Sequence, residues 1–198
     1  MNSYYDVANM SDCDAPYDLR TIKDALLERH DIAADIPDSP GVYALYLTDP
    51  LALDGIQVDP TGLLYIGMTE DSLDVRNHFG HKDSSFSSPR RSLGAILKKE
   101  LGLKAIPRGS GKSPKDMTCY RFAGDGEQKL THWMTGHLEY SFVALHDGIP
   151  DVEQTLIECL RPPLNLTEWE NHQKGTIMQL REACADEARS AAPRQEPR

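Results

Sequence analysis

Gly41-Val42-Tyr43-Ala44-Leu45-Tyr46-Leu47 and, beyond an acidic loop over residues 48–62, Leu63-Leu64-Tyr65-Ile66-Gly67-Met68 are the stretches on which the fold turns. Both are apolar-aromatic runs bounded by proline and glycine, so each is expected to form a strand. Alternate residues of a strand share a face, which groups Tyr43, Leu45 and Leu47 on one face of the first strand and Leu63, Tyr65 and Gly67 on one face of the second. Paired antiparallel, the two strands bring both tyrosine hydroxyls to one surface. Gly67 would leave room there for close approach to the backbone. Tyr46 is one residue out of phase and is assigned to core or surface.

Working outward, Leu19, Ile22, Leu26 and Leu27 recur at helical spacing over residues 18–30, before the breaker Pro37-Asp38-Ser39-Pro40. Ser72 is expected to cap a helix running to about Phe79, with Val75 and Phe79 buried and Arg76 at the rim. A second helix is expected over residues 91–101, a Gly/Pro/Lys loop over 102–115, and a strand over 117–122. Then come a helix over 127–138, a strand over 140–145 and a helix over 152–160 stopped by Pro162-Pro163. A last helix spans 171–187, ahead of a frayed tail from Arg189. This mixture of short strands and helices makes an α/β or α+β sandwich.

The chain has 198 residues, a size that favours one domain, and no run approaches the ~20 apolar residues of a membrane span. The N-terminus carries Asp6, Asp12 and Asp14 and lacks the pattern of a signal peptide, so a cytoplasmic location is expected. Cys13, Cys119, Cys159 and Cys184 are too scattered for a disulfide framework or a paired zinc site. Net charge is -10, which by itself opposes a protein that binds by neutralising phosphates. The distribution points the other way. Residues 1–60 hold twelve Asp/Glu against Arg20, Lys23 and Arg29, whereas residues 76–121 hold eleven Lys/Arg against Asp83, Glu100 and Asp116. That basic island supplies candidate phosphate contacts in Lys82, Arg90, Arg91, Lys98, Lys99, Lys104, Arg108 and Lys112.

Near the C-terminal end, Glu153 stands out. At 100° per residue, Leu156, Ile157 and Leu160 fall within about 60° of it, so its carboxylate lies in the middle of an apolar stripe. A carboxylate so placed needs a cation, and a divalent metal is one that serves.

Taken in order, Gly41-Val42-Tyr43, Tyr65-Ile66-Gly67, Glu153 three residues before Leu156-Ile157, and Pro162-Pro163-Leu164-Asn165 resemble the signature of the GIY-YIG nucleases, metal-dependent phosphodiesterases acting on DNA. The resemblance implies a small central antiparallel sheet flanked by helices. It divides the chain into an acidic N-terminal extension with one helix (1–36), a catalytic domain (37–168), and a C-terminal helix with tail (169–198). It implies Glu153 as the ligand of Mg²⁺ (or Mn²⁺), with Asn165 orienting the metal site or bridging to the substrate phosphate. Arg76 and Tyr65 would stabilise the pentavalent phosphate and Tyr43 would activate water, alone or through a histidine. Two departures matter. The histidine usual four residues after the arginine is replaced by Gly80, and Met68 stands where relatives often carry lysine. On a helix, His78 lies about 160° from Arg76 and points away, so His81 is preferred as the histidine of the site. Arg90 or Arg91 could substitute as the phosphate clamp.

Two other patterns are rejected. Arg108-Gly-Ser-Gly-Lys-Ser113 imitates a phosphate-binding loop, but Ile106 occupies the first glycine position and Pro114 follows at once. His132 and His137 have no cysteine partner at zinc spacing. The leading expectation is therefore a divalent-metal-dependent DNA endonuclease. A second reading keeps the fold as a DNA-binding module without turnover, and a third, prompted by the net charge, is an acidic protein-interaction or DNA-mimic protein.

Overall fold

The computed structural model describes residues 18–30, 35–79 and 83–192. Its centre is β1 (Gly41–Leu47), paired antiparallel with β2 (Leu63–Thr69) on one side and β5 (Leu138–Ala144) on the other, in the order β2-β1-β5. Every residue of β1 is buried, because helices cover both faces of the sheet.

On one face Val42, Ala44 and Tyr46 meet Ile22 and Leu26 of α1 (Leu19–Leu26) and Val152 and Leu156 of α5 (Ile149–Leu160). Tyr46 belongs to this core, and its hydroxyl donates to the Leu26 carbonyl at 2.9 Å. On the other face Tyr43, Leu45 and Leu47 join Leu93 of α2 (Ser88–Ile96) and Met134 of α4 (Gly126–His137). Ile177 and Cys184 of α6 (Lys174–Ala191) complete that cluster. The result is an α+β fold with a small antiparallel sheet between helical layers, as the tripeptides led us to expect. Among the described residues no helix is long and apolar enough to cross a membrane.

The pairing of β1 with β2 is interrupted. Leu45 lies opposite Tyr65 and Tyr46 opposite Leu63, so Leu64 is an extra residue in a bulge. Strict alternation therefore fails at this point. Leu63 joins the face of Tyr46, Leu64 joins the face of Tyr43, and Tyr65 remains on the tyrosine side.

Other elements depart from expectation for local reasons. Residues 72–79 form successive turns and not a helix. Ser72 does cap the first of them, its Oγ accepting from the Val75 N–H at 3.2 Å, but the Asn77 side chain then accepts from the Phe79 N–H at 3.0 Å and bends the chain. Val75, expected to be buried, is 76 % exposed. Helix α2 starts at Ser88, because Ser87 provides an N-cap and Pro89 suits the first turn. The strand expected over 117–122 shrinks to β4 (Arg121–Phe122), paired with β3 (Ala105–Ile106). Residues before it are taken by α3 (Pro114–Thr118), where Ser113 and Asp116 form a capping box.

Candidate active site

Tyr43 lies opposite Gly67 across the β1–β2 ladder. A Cβ at Gly67 would collide with the Tyr43 phenol and come within 2.9 Å of Tyr65 Cε1. The missing side chain thus makes room for the Tyr43 ring itself, and the space is not left open to a ligand. The Tyr43 and Tyr65 rings sit with centroids 6.2 Å apart. Behind Tyr43, Tyr140 of β5 stacks at 5.6 Å and 24°, which fixes the plane of the Tyr43 ring.

The histidine beside this pair is His78. Its Nε2 lies 2.6 Å from the Tyr43 hydroxyl and its Nδ1 lies 2.9 Å from Ser87 Oγ. Ser87 Oγ also accepts the Arg90 N–H at 3.2 Å, as N-cap of α2. His78 is 1 % exposed. The expectation that it points away assumed a helix, and the turn at Asn77 swings it inward. Gly80, His81 and Lys82 lie outside the described residues.

Arg76 reaches over the tyrosines from the same turn, and its guanidinium faces Tyr43, Tyr65 and Glu153. Burial, with Tyr65 adding to it, raises the Tyr43 phenol well above its ordinary value, against the pull of Arg76. Tyr65 is pushed up to about 12 by burial and by the neighbouring Glu153.

Glu153 projects from α5 to the outer edge of β2, where it accepts the Met68 N–H. Burial and then Glu168 raise it to about 7, while Arg76 and the Met68 N–H act in the opposite direction. Glu153 is half-buried with the Glu168 carboxylate nearby, and a cation between them would relieve the repulsion that helps raise it. Among the described residues no trio of His, Cys, Asp or Glu gathers. Glu153, with Glu168 nearby, is the group here that could hold a divalent cation.

Both polar atoms of the Asn165 amide are taken up by the backbone of β2. Its Oδ1 accepts the Ile66 N–H at 2.9 Å and its Nδ2 donates to the Ile66 carbonyl at 2.9 Å. Two residues earlier on the same edge, the Leu64 carbonyl accepts the Leu164 N–H at 3.0 Å, and two residues later Met68 donates to Glu153. Leu164, Asn165 and Glu153 together close the free edge of β2. Further along, Asn171 Nδ2 donates to the carbonyls of Pro163 at 2.8 Å and Asn165 at 2.9 Å, which holds this segment down.

The expected DNA contacts divide. Arg90 is fully buried, its Nη2 2.9 Å from Glu127 Oε2 and 2.9 Å from Thr131 Oγ1, so it is not available to a phosphate. A buried guanidinium needs such a partner to be tolerated at all. Lys98 pairs with Glu187 at 3.2 Å and Arg108 with Asp116 at 3.7 Å. Lys99, Lys104 and Lys112 are exposed, and Arg91 is partly buried. The false phosphate loop is explained by α3, because the Lys112 and Ser113 N–H groups both donate to Asp116 Oδ2 at 3.1 Å. His137 stacks on Trp133 with centroids 4.5 Å apart and bonds its carbonyl at 2.8 Å, while His132 is exposed.

Sequence reasoning set His78 aside in favour of His81, and it missed Ser87 and Glu168. A polar residue before a proline-containing helix start was a legible cap signal for Ser87; its second bond, to His78, was not. Neither the curated proteins nor the solved structures include a match to the chain. A family model, the GIY-YIG catalytic domain, matches residues 41–183, and the chain belongs to the GIY-YIG family, whose members are typically nucleases.

Proposed function

We propose that this protein is a divalent-metal-dependent endonuclease that hydrolyses phosphodiester bonds in DNA. The observation that carries the reading is the line from the Tyr43 hydroxyl, beside Tyr65, Arg76 and Glu153, through His78 to Ser87. Glu153 would hold the Mg²⁺, with Glu168 adding negative charge nearby. The ion would supply positive charge to the scissile phosphate.

The protein's own groups handle the proton. Burial makes a standing Tyr43 phenolate unfavourable, so the phenol must lose its proton only as it gains another. His78 provides the acceptor. With Nδ1–H donated to Ser87 Oγ, Nε2 carries the lone pair that takes the Tyr43 proton, while the phenol oxygen takes one from the attacking water. The hydroxide so formed adds to phosphorus, and the P–O bond to the leaving oxygen breaks; the electron pair departs with that oxygen, which takes a proton from water, and His78 returns its proton to solvent. Arg76, a planar donor with two parallel N–H groups, holds non-bridging oxygens. Tyr65, kept protonated by its environment, donates its O–H to the same phosphoryl group. Asn165 acts indirectly, by fixing the β2 edge on which Glu153 and Tyr65 are placed.

Nicking of supercoiled plasmid with Mg²⁺ tests the proposal. Wild type is expected to convert plasmid to open circles, with Glu153→Gln at least ~10²-fold slower, the scale for loss of an electrostatic group in such a site. Equal rates for the two proteins would reject the enzyme reading.

A further inference from the structure

Three arginines gather around the start of α2, at a place the tyrosine site does not use. Arg91 Nη1 donates to the carbonyls of Ser84 at 3.0 Å and Ser85 at 2.9 Å, while its buried Nε has no hydrogen-bond partner. Arg181, arriving from α6, reaches Ser88 Oγ at 3.3 Å and Ser92 Oγ at 3.4 Å. Arg108 lies over the ring of Phe86, with Cζ 6.0 Å from the centroid. Among the described residues neither Arg91 nor Arg181 has a carboxylate within ion-pairing distance, and Arg108 has only Asp116 at 3.7 Å. Burial and the like charge of Arg181, with a smaller part from Arg108, hold Arg91 below its usual range. So much uncompensated positive charge beside serine hydroxyls calls for a multivalent anion.

Phe86 supplies the second half of the argument. It is 68 % exposed, yet the single 3-10 turn that carries it, Ser84–Phe86, is pinned on every side. Glu127 accepts from Ser84 N at 3.1 Å and Ser84 Oγ at 2.9 Å, and Asp83 accepts from Ser85 N at 2.9 Å. Arg91 holds both carbonyls of the same turn. A rigidly held, solvent-facing aromatic ring next to a guanidinium presents a flat π surface, on which a nucleobase stacks with little sequence preference. The next residue, Ser87, bonds His78, so this surface adjoins the reacting groups.

We propose that Arg91, Arg108 and Arg181 together with Phe86 form a nucleotide subsite, which takes one backbone phosphate and stacks one base of the DNA strand flanking the cut. The proposal rests on the nuclease reading above. It adds α6 to the DNA-contacting surface and gives the exposed Phe86 a role.

The test uses the full chain in EDTA, so that binding is read without cutting. Duplex and single-stranded oligonucleotides carrying 2-aminopurine are titrated by anisotropy and fluorescence across a salt series. Phe86→Leu should weaken binding about tenfold and abolish 2-aminopurine quenching, with the salt slope unchanged. Arg181→Gln should weaken binding about tenfold and reduce the slope of log affinity against log salt by about one. Should Arg181→Gln melt early, Arg108→Gln, on the loop before α3, takes its place with the same expectation. Wild-type protein that neither binds nor nicks DNA would overturn both readings. Wild type that nicks DNA, with variants that keep its affinity, slope and quenching, would overturn the subsite alone.

Discussion

Replacing Asn165 by alanine removes one side chain and strands two backbone groups. The Ile66 N–H and carbonyl each bond the Asn165 amide at 2.9 Å, and Asn165 is 3 % exposed. Water does not reach the place of the lost amide without local opening. A buried donor or acceptor left unpaired costs about 1–3 kcal/mol, so the pair should cost roughly 2–6 kcal/mol, against the ~5–15 kcal/mol that holds a domain of this size. Asn165→Ala is therefore expected to fold, with a urea midpoint lowered at unchanged slope. Asn165→Asp separates the two bonds. As an acid it keeps both, but as a carboxylate it turns a lone pair toward the Ile66 carbonyl. Burial and that repulsion raise its folded pKa above the ~3.9 of an unfolded aspartate. A raised folded value means that stability is fully present below about pH 3.9 and is lost as pH rises through the folded value. Relative to wild type measured in parallel, Asn165→Asp should match it best in acid and resemble Asn165→Ala at neutral pH. A cost under about 1 kcal/mol for Asn165→Ala, or a pH-independent difference for Asn165→Asp, would refute the edge-closing role.

Two further outcomes concern the reacting groups. Glu153 is raised to about 7 in the folded chain, so without metal its contribution to stability is present below its unfolded value of ~4.3 and is lost as pH climbs through about 7. Thermal melts in EDTA should show Glu153→Gln gaining on wild type across that window, with Mg²⁺ restoring wild type at the upper end; a constant gap at all pH values would contradict this. His78→Ala should slow plasmid nicking by about 10²–10⁴-fold. A rate within about tenfold of wild type would place the proton acceptor elsewhere.

The fold was legible where the sequence obeys its own periods. Val42 to Leu47 alternates between two covered faces, and α4 and α5 begin and end within about three residues of their expected limits. Legibility failed wherever a side chain bonds its own backbone. Asn77 closes a short loop onto Phe79, and that one bond turns an expected helix into turns, exposes Val75 and buries His78. The bulge at Leu64 likewise breaks alternation without any glycine or proline to announce it. Among the site residues, Glu153 could be nominated because its position in an apolar stripe was anomalous for a carboxylate. Arg90 could not be told from its basic neighbours, since what removes it from the surface is Glu127, a long-range partner that sequence spacing does not reveal.

His78 carries the broader point about motif spacing. A histidine four residues after an arginine shares its face only if the intervening chain is helical. In this chain the arginine and histidine are two apart, and the turn at Asn77 does what a helical turn does elsewhere, bringing Arg76 to the tyrosines from above and His78 from the side. Spacing in sequence is thus a proxy for a geometry that other local structure can reproduce. The requirement that survives is an imidazole nitrogen within hydrogen-bonding distance of the first tyrosine, oriented from behind by a fixed partner, and His78 meets it at 2.6 Å with Ser87 behind it. The same logic bears on Asn165: in the proposed mechanism Glu153 can serve only if its helix is registered to the strand bearing Tyr65, and the Ile66–Asn165 pair, between Leu64–Leu164 and Met68–Glu153, sets that register.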